Sequence, residues 1–131
     1  MNARFLDSNV VLYLFSADAG KAERSAELLS DGGTVSVQVL NEVASVAHRK
    51  MKLGWNDIHS MVEEVVALVA VVPVTIETHR SARAIASRYG LSFYDAAIVA
   101  AALEADCTEL FSEDLQHGQK FGPLRVINPY V

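Results

Sequence analysis

Five short apolar runs alternate with stretches that repeat at helical spacing, and this alternation constrains the fold more than any other feature. Arg4-Phe5-Leu6 reads as a buried strand that ends in Asp7, followed by the polar pair Ser8-Asn9. Both Ser and Asn cap helix N-termini well, so a helix is expected to start there. A second helix, from about Lys21, places Ala22, Ala26 and Leu29 on one face and stops at the turn signal Asp31-Gly32-Gly33. Thr34-Val35-Ser36-Val37 is a brief β-branched strand. From Gln38 the pattern Val39, Leu40, Val43, Val46, Ala47, Met51 is helical, with Gly54 as its stop. Asn56-Asp57 opens another helix carrying Ile58, Met61, Val62, Val65 and Leu68. A third strand lies somewhere between Ala67 and Val74, where an unbroken Val/Ala run hides the boundary. Thr75 caps a helix through Ile76, His79, Ala82, Ile85, Ala86 and Tyr89, closed by Gly90, and Ser92 caps the next, to about Ala105. Residues 108–111 and 124–127 are the fourth and fifth strands, with a polar loop at 112–122 between them.

Short apolar strands alternating with helices specify an α/β domain, a parallel sheet with helices on both faces. The 131 residues fit one domain, 1–131, able to bury a core without crosslinks. Cys107 is alone, so there is neither a disulfide framework nor a cysteine metal site, which suits the cytoplasm. The N-terminus, Met-Asn-Ala-Arg-Phe-Leu-Asp, lacks the pattern of a secretion signal. The longest apolar run, 65–72, is closed by Pro73 and is too short to cross a bilayer. A soluble, cytoplasmic protein with no membrane partner is expected. The net charge of −5 argues against tight non-specific RNA binding. It does not exclude a hydrolase acting on RNA, because clustered carboxylates contribute to it and a bound cation cancels part.

In parallel sheets of this kind, ligands sit at the carboxyl ends of the strands, near the switch in strand order. Asp7 directly follows the first strand and Asp114 follows the fourth. Each of four acids admits two roles. Asp7 either caps the next helix or, with Ser8 and Asn9 able to cap, is free for chemistry. Glu42 shares a helical stripe with Val39 and Val46, where a carboxylate is costly unless neutralised. Either a metal neutralises it, or the helix turns slightly and Glu42 reaches water or pairs with Arg49 or Lys50. Asp95 stands three residues after Ser92, the spacing of a capping box, at the head of the buried-looking run Ala96-Ala97-Ile98-Val99-Ala100-Ala101-Ala102. Capping and metal binding are compatible there, since a carboxylate has two oxygens. Asp114 neighbours Glu113, and by parity only one of the pair faces the strand ends.

Together the four acids supply hard oxygen ligands without a competing thiol or histidine cluster, a set suited to Mg²⁺ or Mn²⁺ and not to zinc. His48, His59, His79 and His117 show no ligand spacing, and His79 reads as a packed histidine. One or two ions fit four carboxylates, and the reaction such a site favours is in-line displacement at phosphorus by activated water. A phosphohydrolase with a nucleophilic aspartate would want a second acid two residues after Asp7, where this chain has Asn9.

Four stretches, Phe5-Leu6-Asp7-Ser8-Asn9, Gln38-Val39-Leu40-Asn41-Glu42, Phe93-Tyr94-Asp95-Ala96-Ala97-Ile98 and Phe111-Ser112-Glu113-Asp114, occur in this order across nearly the whole chain. In them the sequence resembles PIN-domain ribonucleases, most closely the VapC-like toxins of toxin–antitoxin pairs. The resemblance implies a Rossmann-like, five-stranded parallel sheet in the order 3-2-1-4-5 and a Mg²⁺- or Mn²⁺-dependent endoribonuclease. It matches Asp7, Glu42 and Asp95 to metal ligands, Asp114 to a fourth acid of the site, and Ser112, grouped here with Asn9, to residues that orient the site and its substrate. It also implies a homodimer, a cognate antitoxin covering the active site, and structured RNA such as transfer or ribosomal RNA as substrate. Two other readings are a free-standing PIN nuclease and a catalytically silent PIN binding module; loss of an acid would favour the second, and all four are present.

Arg49-Lys50 lies about two turns beyond Glu42 and, like Arg4, Lys21, Arg24, Lys52 and Lys120, either meets phosphates or, as the first reading for most of them, belongs to a solvated surface. Trp55 and Tyr13 read as packing or interface residues.

Overall fold

The computed structural model describes residues 3–131; Met1 and Asn2, the start of the stretch read for a secretion signal, lie outside the described residues. Strands β1 (Arg4–Leu6), β2 (Thr34–Ser36), β3 (Ala70–Val72), β4 (Glu109–Phe111), β5 (Lys120–Phe121) and β6 (Leu124–Ile127) form one sheet in the order β3-β2-β1-β4-β6-β5. Every pairing is parallel except β5 with β6. With β6 counted as the fifth strand, the expected order 3-2-1-4-5 holds. The difference is β5, an antiparallel edge strand inside the stretch read as a loop. Two residues are too few to show alternation, and the strand owes its place to a turn at Gly122 (φ +60) that folds Phe121 back beside Leu124. Phe121 is buried there against the Tyr89 ring, at 4.8 Å between centroids.

Each of the first three strands is followed by two helices: α1 (Ser8–Tyr13) and α2 (Ala19–Ser30), α3 (Val37–Arg49) and α4 (Trp55–Leu68), α5 (Ile76–Tyr89) and α6 (Phe93–Glu104). From β1 the chain steps outward to β2 and β3, then returns past β1 to β4. Right-handed crossovers in these opposite directions put α1 to α4 on one face of the sheet and α5 with α6 on the other. The switch in strand order therefore falls between β1 and β4. Phe5, Leu6, Leu110 and Val126 of the central strands are fully buried. The run Ala96 to Ala102 in α6 is buried on all sides, as its continuous apolar composition requires.

Several local expectations shift. The α2 helix begins at Ala19 with Asp18 as its cap, and it buries Ser25, Leu28 and Leu29 while Ala26 is exposed. Ser25 can be buried because its hydroxyl bonds to the Tyr130 hydroxyl at 2.7 Å. Gly54 does not end α3; it is the N-cap of α4. His79 is exposed, resting against Phe93, because α5 buries Thr78 and Ala82 instead. A threonine takes the buried position because Glu104 accepts its hydroxyl at 2.6 Å.

Candidate active site

The two strands flanking the switch end side by side, joined by a 3.0 Å hydrogen bond from the Asp7 amide to the Phe111 carbonyl. Asp7 is only 3% exposed. Of the two roles open to it, it takes the cap of α1 itself, and neither Ser8 nor Asn9 does so. Its Oδ1 accepts from the Ser8 amide at 2.7 Å and its Oδ2 from the Ser112 hydroxyl at 2.7 Å, with Asn9 Nδ2 at 3.4 Å. Burial pushes the Asp7 carboxyl up to about 6. The bonds from Ser112 and Ser8 oppose that rise, and the negative charges of Glu42 and Asp114 add to it.

Ser8, released from capping, donates its hydroxyl to Glu42 Oε2 at 2.7 Å. Gln38, one helical turn before Glu42, donates to the other oxygen at 2.9 Å. Neither Arg49 nor Lys50 pairs with Glu42 among the described residues. The buried stripe of α3 runs through Val39, Val43 and Ala47, so Glu42 stands at its edge, half-buried. Two neutral donors hold a carboxylate there without cancelling its charge.

After β4 the parity question resolves. Asp114 turns toward Asn9, whose Nδ2 donates to Oδ2 at 3.0 Å, while its own amide donates to Ser112 Oγ at 3.1 Å. Glu113 turns the other way, to Lys21 Nζ at 3.2 Å. Hydrogen bonds to Tyr13 and Glu113 hold the Lys21 ammonium above its ordinary pKa. Asn9 closes the arrangement by accepting the Glu113 amide at 3.1 Å. Ser112 and Asn9, expected to orient substrate, are both bonded to the site's carboxylates.

Asp95 lies in the first turn of α6, where its amide donates to the Ser92 hydroxyl at 3.3 Å. Burial raises its carboxyl; the Ser92 hydroxyl lowers it, and the charges of Asp114 and Glu42 raise it again. The four acids thus share one electrostatic field, and they line one open cleft of about 580 Å³. Gln38, Asn41, Ser45 and Arg49 of α3 and Tyr94 of α6 complete its walls. A smaller cavity, of about 290 Å³ between α5 and β5, contains no carboxylate.

The donor set fits a hard divalent cation: carboxylate oxygens in a cleft whose mutual repulsion a cation would relieve. Among the described residues, no three of His, Cys, Asp or Glu form a ready-made cage. A Mg²⁺-type ion, which takes one or two carboxylates and keeps several waters, does not require one.

The family model of the PIN domain matches residues 4–120, a span that contains all four acids. The chain belongs to the PIN domain family. Comparison with curated proteins returned no match. Among solved structures, this PIN domain is similar to the sarcin-ricin loop cleaving toxin VapC20 of Mycobacterium tuberculosis, at 19% identity and TM-score 0.66, covering 85% of this chain and 89% of that one. It is also similar to a toxin–antitoxin complex from Klebsiella pneumoniae, at 18% identity and TM-score 0.73, covering 97% and 98% of the two chains. FitAcB from Neisseria gonorrhoeae shows 18% identity and TM-score 0.69, with 97% and 98% covered. At these identities the likeness is one of fold.

All four acids predicted from the sequence meet at the PIN domain's cleft, as do Ser112 and Asn9 behind them. Sequence reading missed Ser8 and Gln38 as supports of Glu42, and Lys21 as the partner of Glu113. Gln38 was detectable by its four-residue spacing from Glu42. Lys21 and Glu113 are far apart in sequence, and no local pattern joins them.

Proposed function

We propose that this PIN domain is a Mg²⁺-dependent endoribonuclease, with Mn²⁺ able to substitute, that serves as the toxin of a toxin–antitoxin pair. The observation that carries the reading is the gathering of Asp7, Glu42, Asp95 and Asp114 around one cleft at the switch point of a PIN fold. Support for the toxin role comes from the fold's likeness to a sarcin-ricin loop cleaving toxin and to toxin–antitoxin complexes. The reading carries with it structured RNA as substrate, an antitoxin that covers the cleft, a homodimer and a cytoplasmic setting. No helix among the described residues is long and apolar enough to cross a membrane.

The four carboxylates are the groups that would hold the cation, with Glu42 and Asp114 near enough to act on both Asp7 and Asp95. When bound, such an ion supplies an activated water and neutralises charge on the phosphodiester. The chain's own part is to fix the ligands before substrate arrives. Ser112 and the Ser8 amide hold the two oxygens of Asp7, Ser8 and Gln38 hold those of Glu42, and Asn9 ties Asp114 to the head of α1. Preset ligands avoid reorganisation at the moment of reaction.

Purified protein should cut RNA with Mg²⁺ or Mn²⁺ and stop when a chelator is added. Asp7→Asn should abolish cutting while the protein stays folded; an unaffected rate sinks the assignment. Expression of both forms in cells, with sequencing of the cut RNA ends, names the target and tests the toxin role by growth.

A further inference from the structure

On α3, Gln38, Glu42, Ser45 and Arg49 follow one another at steps of four, three and four residues, so they share a face, and all four line the cleft. Among the described residues, Arg49 is the only Lys or Arg on the cleft wall, beside four acids. It nevertheless forms no ion pair among the described residues. Its Nε donates to Ser45 Oγ at 3.0 Å, one turn back toward Glu42, and no other bond of its guanidinium is formed among the described residues. Of the five donors a guanidinium carries, four are left for something that enters the cleft. On the opposite wall, next to Asp95, Tyr94 is 64% exposed. Its ring is backed edge-on by Phe93 at 5.7 Å, and Phe93 rests on His79 at 5.2 Å. An aromatic ring supported from one side and open to a polar cleft is a stacking surface.

We propose that the cleft takes a single-stranded segment of RNA, with an unpaired base stacked on Tyr94 and a phosphate held by Arg49. The inference rests on the ribonuclease reading and adds how the strand is bound. The acids repel an RNA backbone, so a fixed cationic side chain on the cleft wall, beside the ion the acids would hold, favours its entry. Arg49 is oriented for that by Ser45, and guanidinium suits phosphate because its donors form a planar fork. Stacking requires a base splayed out of a duplex, and it is tolerant of sequence because every base has a π-face.

The test measures binding in the Asp7→Asn protein, which holds RNA without cutting it. The probe is a fluorescent single-stranded RNA of about ten nucleotides, free or annealed to its complement. Adding Tyr94→Leu should weaken binding about tenfold, and Tyr94→Phe should restore most of the loss. Adding Arg49→Gln should weaken it about tenfold and lower the slope of log affinity against log salt by about one. Arg88→Gln removes the same charge outside the cleft and should change neither. Annealing should cost as much as Tyr94→Leu. The proposal is overturned if the Tyr94→Leu and Arg49→Gln proteins bind like their parent, or if duplex binds as tightly as single strand. Wild type that cuts RNA while these variants bind unchanged breaks this proposal alone; wild type that cuts no RNA in Mg²⁺ breaks the ribonuclease reading.

Discussion

The heads of α5 and α1 are built from similar small polar residues. At α5, Thr75 accepts the Thr78 amide at 3.2 Å, Thr78 accepts the Thr75 amide at 3.1 Å, and the Thr78 hydroxyl passes on to Glu104 at 2.6 Å. At α1, Asp7 caps the helix with one oxygen and receives the Ser112 hydroxyl on the other. Among the described residues, no buried side-chain nitrogen or oxygen at either head lacks a partner. The difference is buried charge: at α5 Glu77 is exposed and paired with Arg80, and Glu104 accepts from Thr78, whereas Asp7 is buried with Glu42 and Asp114 close enough to raise its pKa. The first arrangement stabilises the fold. The second keeps an electrostatic deficit in a prearranged place, where it is useful only if something positive arrives.

The widest gap between the two should be seen in activity. Asp7→Asn is expected to cut RNA about a thousandfold more slowly or worse, while Thr78→Val cuts at the wild-type rate, in single-turnover assays with Mg²⁺. A Thr78→Val protein as inactive as Asp7→Asn would erase the distinction.

Next in size is the pH dependence of stability. The Asp7 carboxyl titrates at about 6 when folded, against 3.8 for an unperturbed group, so the folded chain holds that proton more tightly. Its contribution to stability therefore declines as pH rises from 3.8 to about 6 and stays low above that. The full effect is on the order of 3 kcal/mol. Without divalent ions, Asp7→Asn should accordingly melt higher than wild type at neutral pH, and the gap should close as pH falls. Mg²⁺ should raise the melting temperature of wild type and not that of Asp7→Asn. An unchanged gap across the pH range contradicts the buried-charge account.

Thr78→Val should lower stability by about 1–2 kcal/mol in denaturant titration, because it keeps the shape and strands the Thr75 amide without its acceptor. The smallest effect belongs to Lys21→Met. Loss of its half-exposed ion pair with Glu113 should slow cutting less than about tenfold and raise the Mg²⁺ concentration needed, since Asp114 is then less firmly aimed. Lys21→Arg should restore most of it.

The fold was legible wherever local pattern and global position agree. Leu6-Asp7, Thr75 and Gly90 around α5, and Ser92 ahead of α6 are short-range signals, and each sits at its element's boundary or within a residue of it, whereas Ser36, read as strand, proves to be the cap of α3. β5 was not legible, because its existence depends on a turn and on Tyr89 from a distant helix. His79 was misread because burial along α5 is decided by Glu104 of α6, which makes a buried Thr78 tolerable. In the site, residue type alone pointed to the four acids and to an oxygen-ligand chemistry.

What the sequence by itself determined is the alternation of strand and helix, the places where strands end, and an acid at or near those ends. Those depend on interactions a few residues long. Only the tertiary structure decided that Asp7 both caps and faces the cleft, that Asp114 and not Glu113 joins it, and that Glu42 is held by Ser8 and Gln38 and not by Arg49 or Lys50. It also decided that Arg49, which in the sequence reads either as solvated surface or as a phosphate contact, stands on the cleft wall. The reason is physical: carboxylate orientation and pKa depend on neighbours within a few ångströms, and here those neighbours come from β1, α1, α3, α6 and the turn after β4, segments up to 105 residues apart along the chain.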